Sequence, residues 1–134
     1  MKTHSIPYCL ALSLVVTFGL LGCSSGEKRY RVSGSVTFKG KPVPEGYIVF
    51  EPDSSKGNQG GPGRAKILDG KYDTSEGENV GVLGGPHLII IQGFDKMITG
   101  LSGQEVTLPK SLFTDYRVSV DLPKKDGVMD FEVK

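Results

Sequence analysis

From Tyr30 to Phe38 apolar and polar residues alternate, with Tyr30, Val32, Gly34, Val36 and Phe38 on one side and Arg31, Ser33, Ser35 and Thr37 on the other. Successive side chains of a strand point to opposite faces, so this period of two predicts a half-buried β-strand. Gly34 interrupts the apolar stripe, and a glycine inside a strand marks a bulge or the close approach of a neighbouring chain. Lys39-Gly40-Lys41-Pro42 reads as a turn. Tyr47–Glu51 reads as a second strand with Ile48 and Phe50 inward, ended by Pro52-Asp53 because proline has no ladder N–H to give. Ser54 to Gly63 is rich in Ser, Gly, Asn and Pro and predicts a surface loop, mobile or loosely held. Ala65 and Ile67 then lead into Asp69-Gly70, a two-residue hairpin signal, and Lys71–Thr74 returns with Tyr72 as the aromatic of the second arm.

Glu76 to Gly85 is a second glycine-rich crossing, with Val80, Val82 and Leu83 as core pegs. Leu88-Ile89-Ile90-Ile91 is apolar on both faces, which predicts a strand central in its sheet or covered on both sides. After it, Phe94, Met97, Ile98 and Leu101 are expected to close one end of the core, and Glu105–Leu108 to form a short strand or edge segment stopped by Pro109. Tyr116, Val118, Val120 and Leu122 share one face of a further strand. Asp126-Gly127 turns the chain into Met129, Phe131 and Val133, so the last two strands are expected to form a C-terminal hairpin with Pro123 to Gly127 as its loop. About seven short strands joined by Gly/Pro-rich turns, with no amphipathic helix longer than a turn or two, define an all-β fold of the sandwich kind.

The N-terminus has a different character. Lys2 and His4 precede a nearly continuous apolar stretch from Leu10 to Leu21, whose 12 residues are too short for a bilayer core that needs roughly 20. It ends in Leu20-Leu21-Gly22-Cys23, which resembles a bacterial lipobox, the signal-peptidase site whose cysteine becomes the lipidated first residue of a secreted lipoprotein. The expected organisation is a signal peptide over 1–22, a lipidated tether over 23–29 and one β-sandwich domain over 30–134. Cys9 falls in the segment to be removed, which leaves Cys23 as the only cysteine of the mature chain. In an oxidising compartment a lone thiol is a liability, and a thioether-linked diacylglycerol uses it up. The chain is then held at a membrane through its N-terminal lipid, at about 0.8 kcal/mol per buried CH₂. Ser24 resembles a sorting position that permits transfer to the outer rather than the inner membrane, with the domain facing the extracytoplasmic side.

Charge narrows the partners. The full chain carries 16 Lys plus Arg against 15 Asp plus Glu, and loss of Lys2 with the leader makes the balance even. A nucleic-acid surface needs a basic stripe, so a nucleic-acid partner is excluded. The mature chain keeps one histidine, His87, without a nucleophile motif such as Gly-x-Ser-x-Gly beside it, and no catalytic residues are assigned. His87 is expected to be a satisfied or exposed residue at a strand start. No zinc set of Cys and His is visible, and Asp53, Asp69, Asp73 and Glu76 lack the spacing of a calcium loop; turn formation is their expected role, and neither a metal nor a cofactor is predicted.

The run Val32-Ser33-Gly34-Ser35-Val36-Thr37-Phe38-Lys39-Gly40-Lys41-Pro42-Val43-Pro44-Glu45-Gly46-Tyr47-Ile48-Val49-Phe50-Glu51-Pro52 resembles the opening of the small transthyretin-like or carboxypeptidase-regulatory-like lipoproteins of planctomycete bacteria. Ala65 to Tyr72 is similar to their second characteristic element, and Gly84-Gly85-Pro86-His87-Leu88 stands where their glycine/proline turn enters a strand, with Gly-Pro-His-Leu in place of the usual Pro-Gly-x-Tyr. The resemblance implies a transthyretin-like (prealbumin/Ig-like) sandwich and no assigned activity. Transthyretin-like folds include hydroxyisourate hydrolases, but this chain has neither their histidine set nor their terminal Tyr-Arg-Gly-Ser, since it ends Asp130-Phe131-Glu132-Val133-Lys134. The expected function is therefore a non-catalytic envelope lipoprotein with a scaffolding, adhesion or accessory role, contacting an envelope protein or glycan through loops 54–63 and 93–104 or an uncovered strand edge. The alternative is a small-ligand or carbohydrate-binding module built on some of Tyr47, Tyr72, Phe94 and Tyr116. Exposure of these rings together favours the module, and burial of most of them favours the scaffold.

Overall fold

The computed structural model describes residues 26–77, 81–95 and 109–134. Nine strands lie among them: β1 Val32–Phe38, β2 Lys41–Pro42, β3 Glu45–Pro52, β4 Gly63–Leu68, β5 Lys71–Asp73, β6 Gly85–Phe94, β7 Tyr116–Leu122, β8 Gly127–Val128 and β9 Phe131–Val133. Their order across one curled sheet is β2-β1-β5-β4-β3-β6-β7, with β8 and β9 both paired to β1. The fold is the expected all-β sandwich, with two of its nine strands only two residues long.

Local turn chemistry sets the hairpins. Lys39 and Gly40 have φ of 49° and 76°, and Asp69 and Gly70 have 46° and 74°. Two successive left-handed residues match the right-handed twist of the flanking strands, which is why such pairs join β1 to β2 and β4 to β5. The second hairpin then splits. β5 pairs with β4 only at Leu68↔Lys71, and its remaining length runs beside Ser33–Ser35 of β1. That transfer carries the sheet round onto itself and encloses the core.

The alternation read from the sequence selects the buried faces. Val36, Val43, Ile48, Phe50, Ile67, Ile89 and Ile91 are fully buried. The Phe50 and Tyr72 rings lie 6.0 Å apart and Tyr72 and Phe131 6.2 Å apart, which links β3, β5 and β9 across the interior. β6 is central, flanked by β3 and β7, as the run Leu88–Ile91 predicts. Only Ile89 and Ile91 enter the core; Leu88 and Ile90 point to the outer face and are half-buried, so of the two expected arrangements, central in the sheet or covered on both sides, β6 takes the first.

The C-terminal hairpin is corrected. β7 pairs with β6, whereas β8 and β9 run parallel to β1, with Val32↔Gly127 and Val36↔Phe131 in register. Period-two patterning states which face of a strand is buried and is silent about its neighbour. Phe131 and Val133 bury the predicted side chains, but against the free edge of β1. The segment 54–63 is the expected surface loop, exposed along most of its length, with one ordered turn inside it. Ser54–Lys56 forms a 3-10 turn, Asp53 caps it by accepting from the Ser55 N–H, and Gly57 closes it at φ 79°. Val80, Met97, Ile98, Leu101, the segment 105–108 and most of the 93–104 loop lie outside the described residues.

Candidate functional site

His87 sits on the inward face of β6 with Ile89 and Ile91 and is 1% exposed. Its Nδ1 lies 2.8 Å from the Gly85 carbonyl oxygen, which can only accept, so Nδ1–H donates to it and Nε2 is the ring's other nitrogen. That Nε2 is buried without a hydrogen-bond partner among the described residues. The strand-start position was legible in the sequence; the enclosure was not, and it replaces the expected satisfied or exposed histidine. The Asn58 side-chain N–H donates 2.8 Å to the Pro86 carbonyl and stands 3.4 Å from His87 Nδ1, pinning the 54–63 loop over the start of β6.

The carboxylates named from the sequence serve separate parts of the fold. Arg31 grips Asp73 through Nε and Nη2, and Asp73 also accepts from Ser75 N–H at 2.9 Å. The hydrogen bond from Arg31, joined by those from Ser75, holds the Asp73 carboxyl well below the usual carboxylate range. Asp53 accepts from Ser55 and pairs with Lys56 at 3.2 Å, which likewise lowers its pKa. Asp69 occupies the β4–β5 turn and Glu76 follows β5. Among the described residues no three His, Cys, Asp or Glu side chains are grouped to hold a metal ion. A carboxylate that was not singled out, Asp130, accepts from both the N–H and the hydroxyl of Ser35, at 2.7 and 2.6 Å, which lowers its pKa and fastens β9 to β1.

The four aromatic residues do not form one platform. Tyr72 is buried, and its hydroxyl donates 2.7 Å to the Met129 carbonyl. Tyr116 is half-buried on β7. Tyr47 is 54% exposed, opposite Lys66 in register, and with Phe94 and Pro109 it lines a shallow groove of about 230 Å³.

A wider groove lies elsewhere among the described residues. It is an open groove of about 790 Å³ over β1, β4 and β5, with Lys66, Lys71, Asp73, Glu76 and Asp130 in its lining. Leu68 and Val128, exposed by 49% and 77%, belong to the same groove and are two of the three large apolar side chains most open to solvent among the described residues. The sequence reading missed it, because Val128 reaches β1 only through the parallel return of β8. The available signal was Val128 itself, an apolar residue on the polar phase of the Met129, Phe131, Val133 alternation.

No protein-family model, curated protein or solved structure matches the chain. No helix among the described residues is long and apolar enough to cross a membrane. Cys23 and the segment before it lie outside the described residues.

Proposed function

We propose that this chain is a non-catalytic lipoprotein of the bacterial cell envelope, held by lipid on Cys23, that acts as a scaffold or accessory domain for another envelope protein. The transthyretin-like affiliation belongs to the same reading and rests on the residue runs around Val32–Pro52 and Ala65–Tyr72. The observation that carries the function is the groove with exposed Leu68 and Val128 among Lys66, Lys71 and Glu76. Apolar anchors set among charges of both signs suit a protein surface, where a few desolvated side chains supply affinity and the polar rim supplies orientation. The groups that carry most chemistry are committed to the fold: His87 is enclosed, and Asp53, Asp73 and Asp130 are bound to caps and neighbouring strands.

Proximity labelling by the full chain in its native cell, repeated with Leu68→Asp and Val128→Asp, tests the reading. An envelope protein whose labelling falls at least about tenfold in both variants supports it; labelling indifferent to both, or turnover abolished by His87→Ala, contradicts it. The exposed Tyr47 ring beside Lys66 favours a second reading, a glycan-binding module, since such rings stack on sugar faces. Glycan retention lost in Tyr47→Ala, with no protein labelled, selects that module.

A further inference from the structure

The geometry points to self-association of this chain through β7, with two copies pairing antiparallel about Ser119. β7 is hydrogen-bonded to β6 along one edge, and no described strand occupies the other. A free edge presents a row of unpaired backbone N–H and C=O groups, and proteins usually block it with proline, a bulge or an inward-pointing charge. Tyr116–Leu122 has none of these: its inward side chains are Tyr116, Val118, Val120 and Leu122, and its charges, Arg117 and Asp121, point outward.

The strand is complementary to itself in one register. With Ser119 opposite its own copy, Arg117 faces Asp121 of the second copy and Asp121 faces Arg117, while on the other face Val118 meets Val120 and Tyr116 meets Leu122. Opposite charges directly across two strands attract, and like charges repel. Centring the pairing on Val118 sets Asp121 against Asp115. Centring it on Val120 sets Arg117 against Pro123 and leaves Asp121 opposite Ser119. A one-residue slip places polar side chains against apolar ones. Arg117 has a 3.8 Å contact with Asp115 but stays 57% exposed, and Asp121 has no hydrogen bond or ion pair among the described residues, so both are open to a partner. Tyr116, Val118 and Val120 pack against the core yet remain only half-buried, and a second copy extends that apolar layer across the seam.

Sedimentation velocity on the full chain in detergent, over a concentration series, tests this pairing. The wild type should dimerise. Arg117→Asp and Asp121→Arg each place like charges opposite one another and should weaken dimerisation about tenfold. An equimolar mixture of the two variants restores both attractive pairs and should recover wild-type association. A monomeric wild type, a dimer insensitive to both variants, or a mixture that fails to recover would each overturn the proposal.

Discussion

Gly34 of β1 and Met129 lie so close that a β-carbon on residue 34 would stand 1.9 Å from the Met129 carbonyl oxygen. That carbonyl also accepts from the Tyr72 hydroxyl at 2.7 Å, and Met129 N–H donates 2.8 Å to the Ser33 carbonyl. The gap that Gly34 leaves in the apolar stripe is therefore where the C-terminal segment crosses β1. Gly34→Ala should cost about 3 kcal/mol in chemical denaturation, because backbone on both sides must shift. A loss under about 0.5 kcal/mol would show that the crossing is not this tight.

Adjacent isoleucines of β6 should respond differently to truncation. Ile89 is fully buried, and Ile89→Ala should lose about 2–5 kcal/mol through transfer and cavity terms. Ile90 is half-buried on the outer face, so Ile90→Ala should lose about 1 kcal/mol. Urea midpoints of the two variants check the order, and equal losses would mean that both faces of β6 are covered.

Asn58→Ala should destabilise the fold by about 1 kcal/mol, since the Pro86 carbonyl loses its donor at the start of β6. Deleting residues within 54–63 should cost at least as much whenever Asn58 is removed. Amide hydrogen exchange at His87 and Leu88, faster in Asn58→Ala than in wild type, would locate the effect; unchanged exchange would show that the loop is not pinned there.

Acid should weaken the native state through Asp73, with Asp53 and Asp130 acting in the same direction. Each carboxyl is lowered in the folded chain, by hydrogen bonds from Arg31 and Ser75, from Ser55 and Lys56, and from Ser35 respectively. A depressed folded pKa gives stability that is fully present above the unfolded value of about 3.9 and is lost as pH falls below it. Thermal midpoints should thus be level above about pH 5 and fall toward pH 2, and Asp73→Asn should flatten that slope. An unchanged slope in Asp73→Asn would remove the Arg31 pair from the account.

The sequence made faces and turns legible because both are local. Asp69-Gly70 and Lys39-Gly40 specify left-handed backbone at the positions where it occurs, and alternation selected Ile48 and Phe50 correctly, whereas the unbroken run Leu88–Ile91 gave no alternation from which to pick Ile89 and Ile91. Partners were not legible, because the pairing of β8 and β9 with β1 depends on which edge is free after the sheet has curled. The Leu68 and Val128 groove inherits that non-local origin. Asn58 was hidden for another reason: in a Gly/Ser-rich stretch one amide reaching the Pro86 carbonyl leaves no compositional trace.

Anchoring through Cys23 is the central claim about where this sandwich works, and intact-mass analysis of the protein purified from its native membrane tests it most directly. The account predicts a chain that begins at Cys23 and carries the added mass of a diacylglycerol thioether, absent in Cys23→Ser, which should accumulate as unprocessed precursor. A native mature chain with an unmodified Cys23, or one cleaved elsewhere, would contradict it.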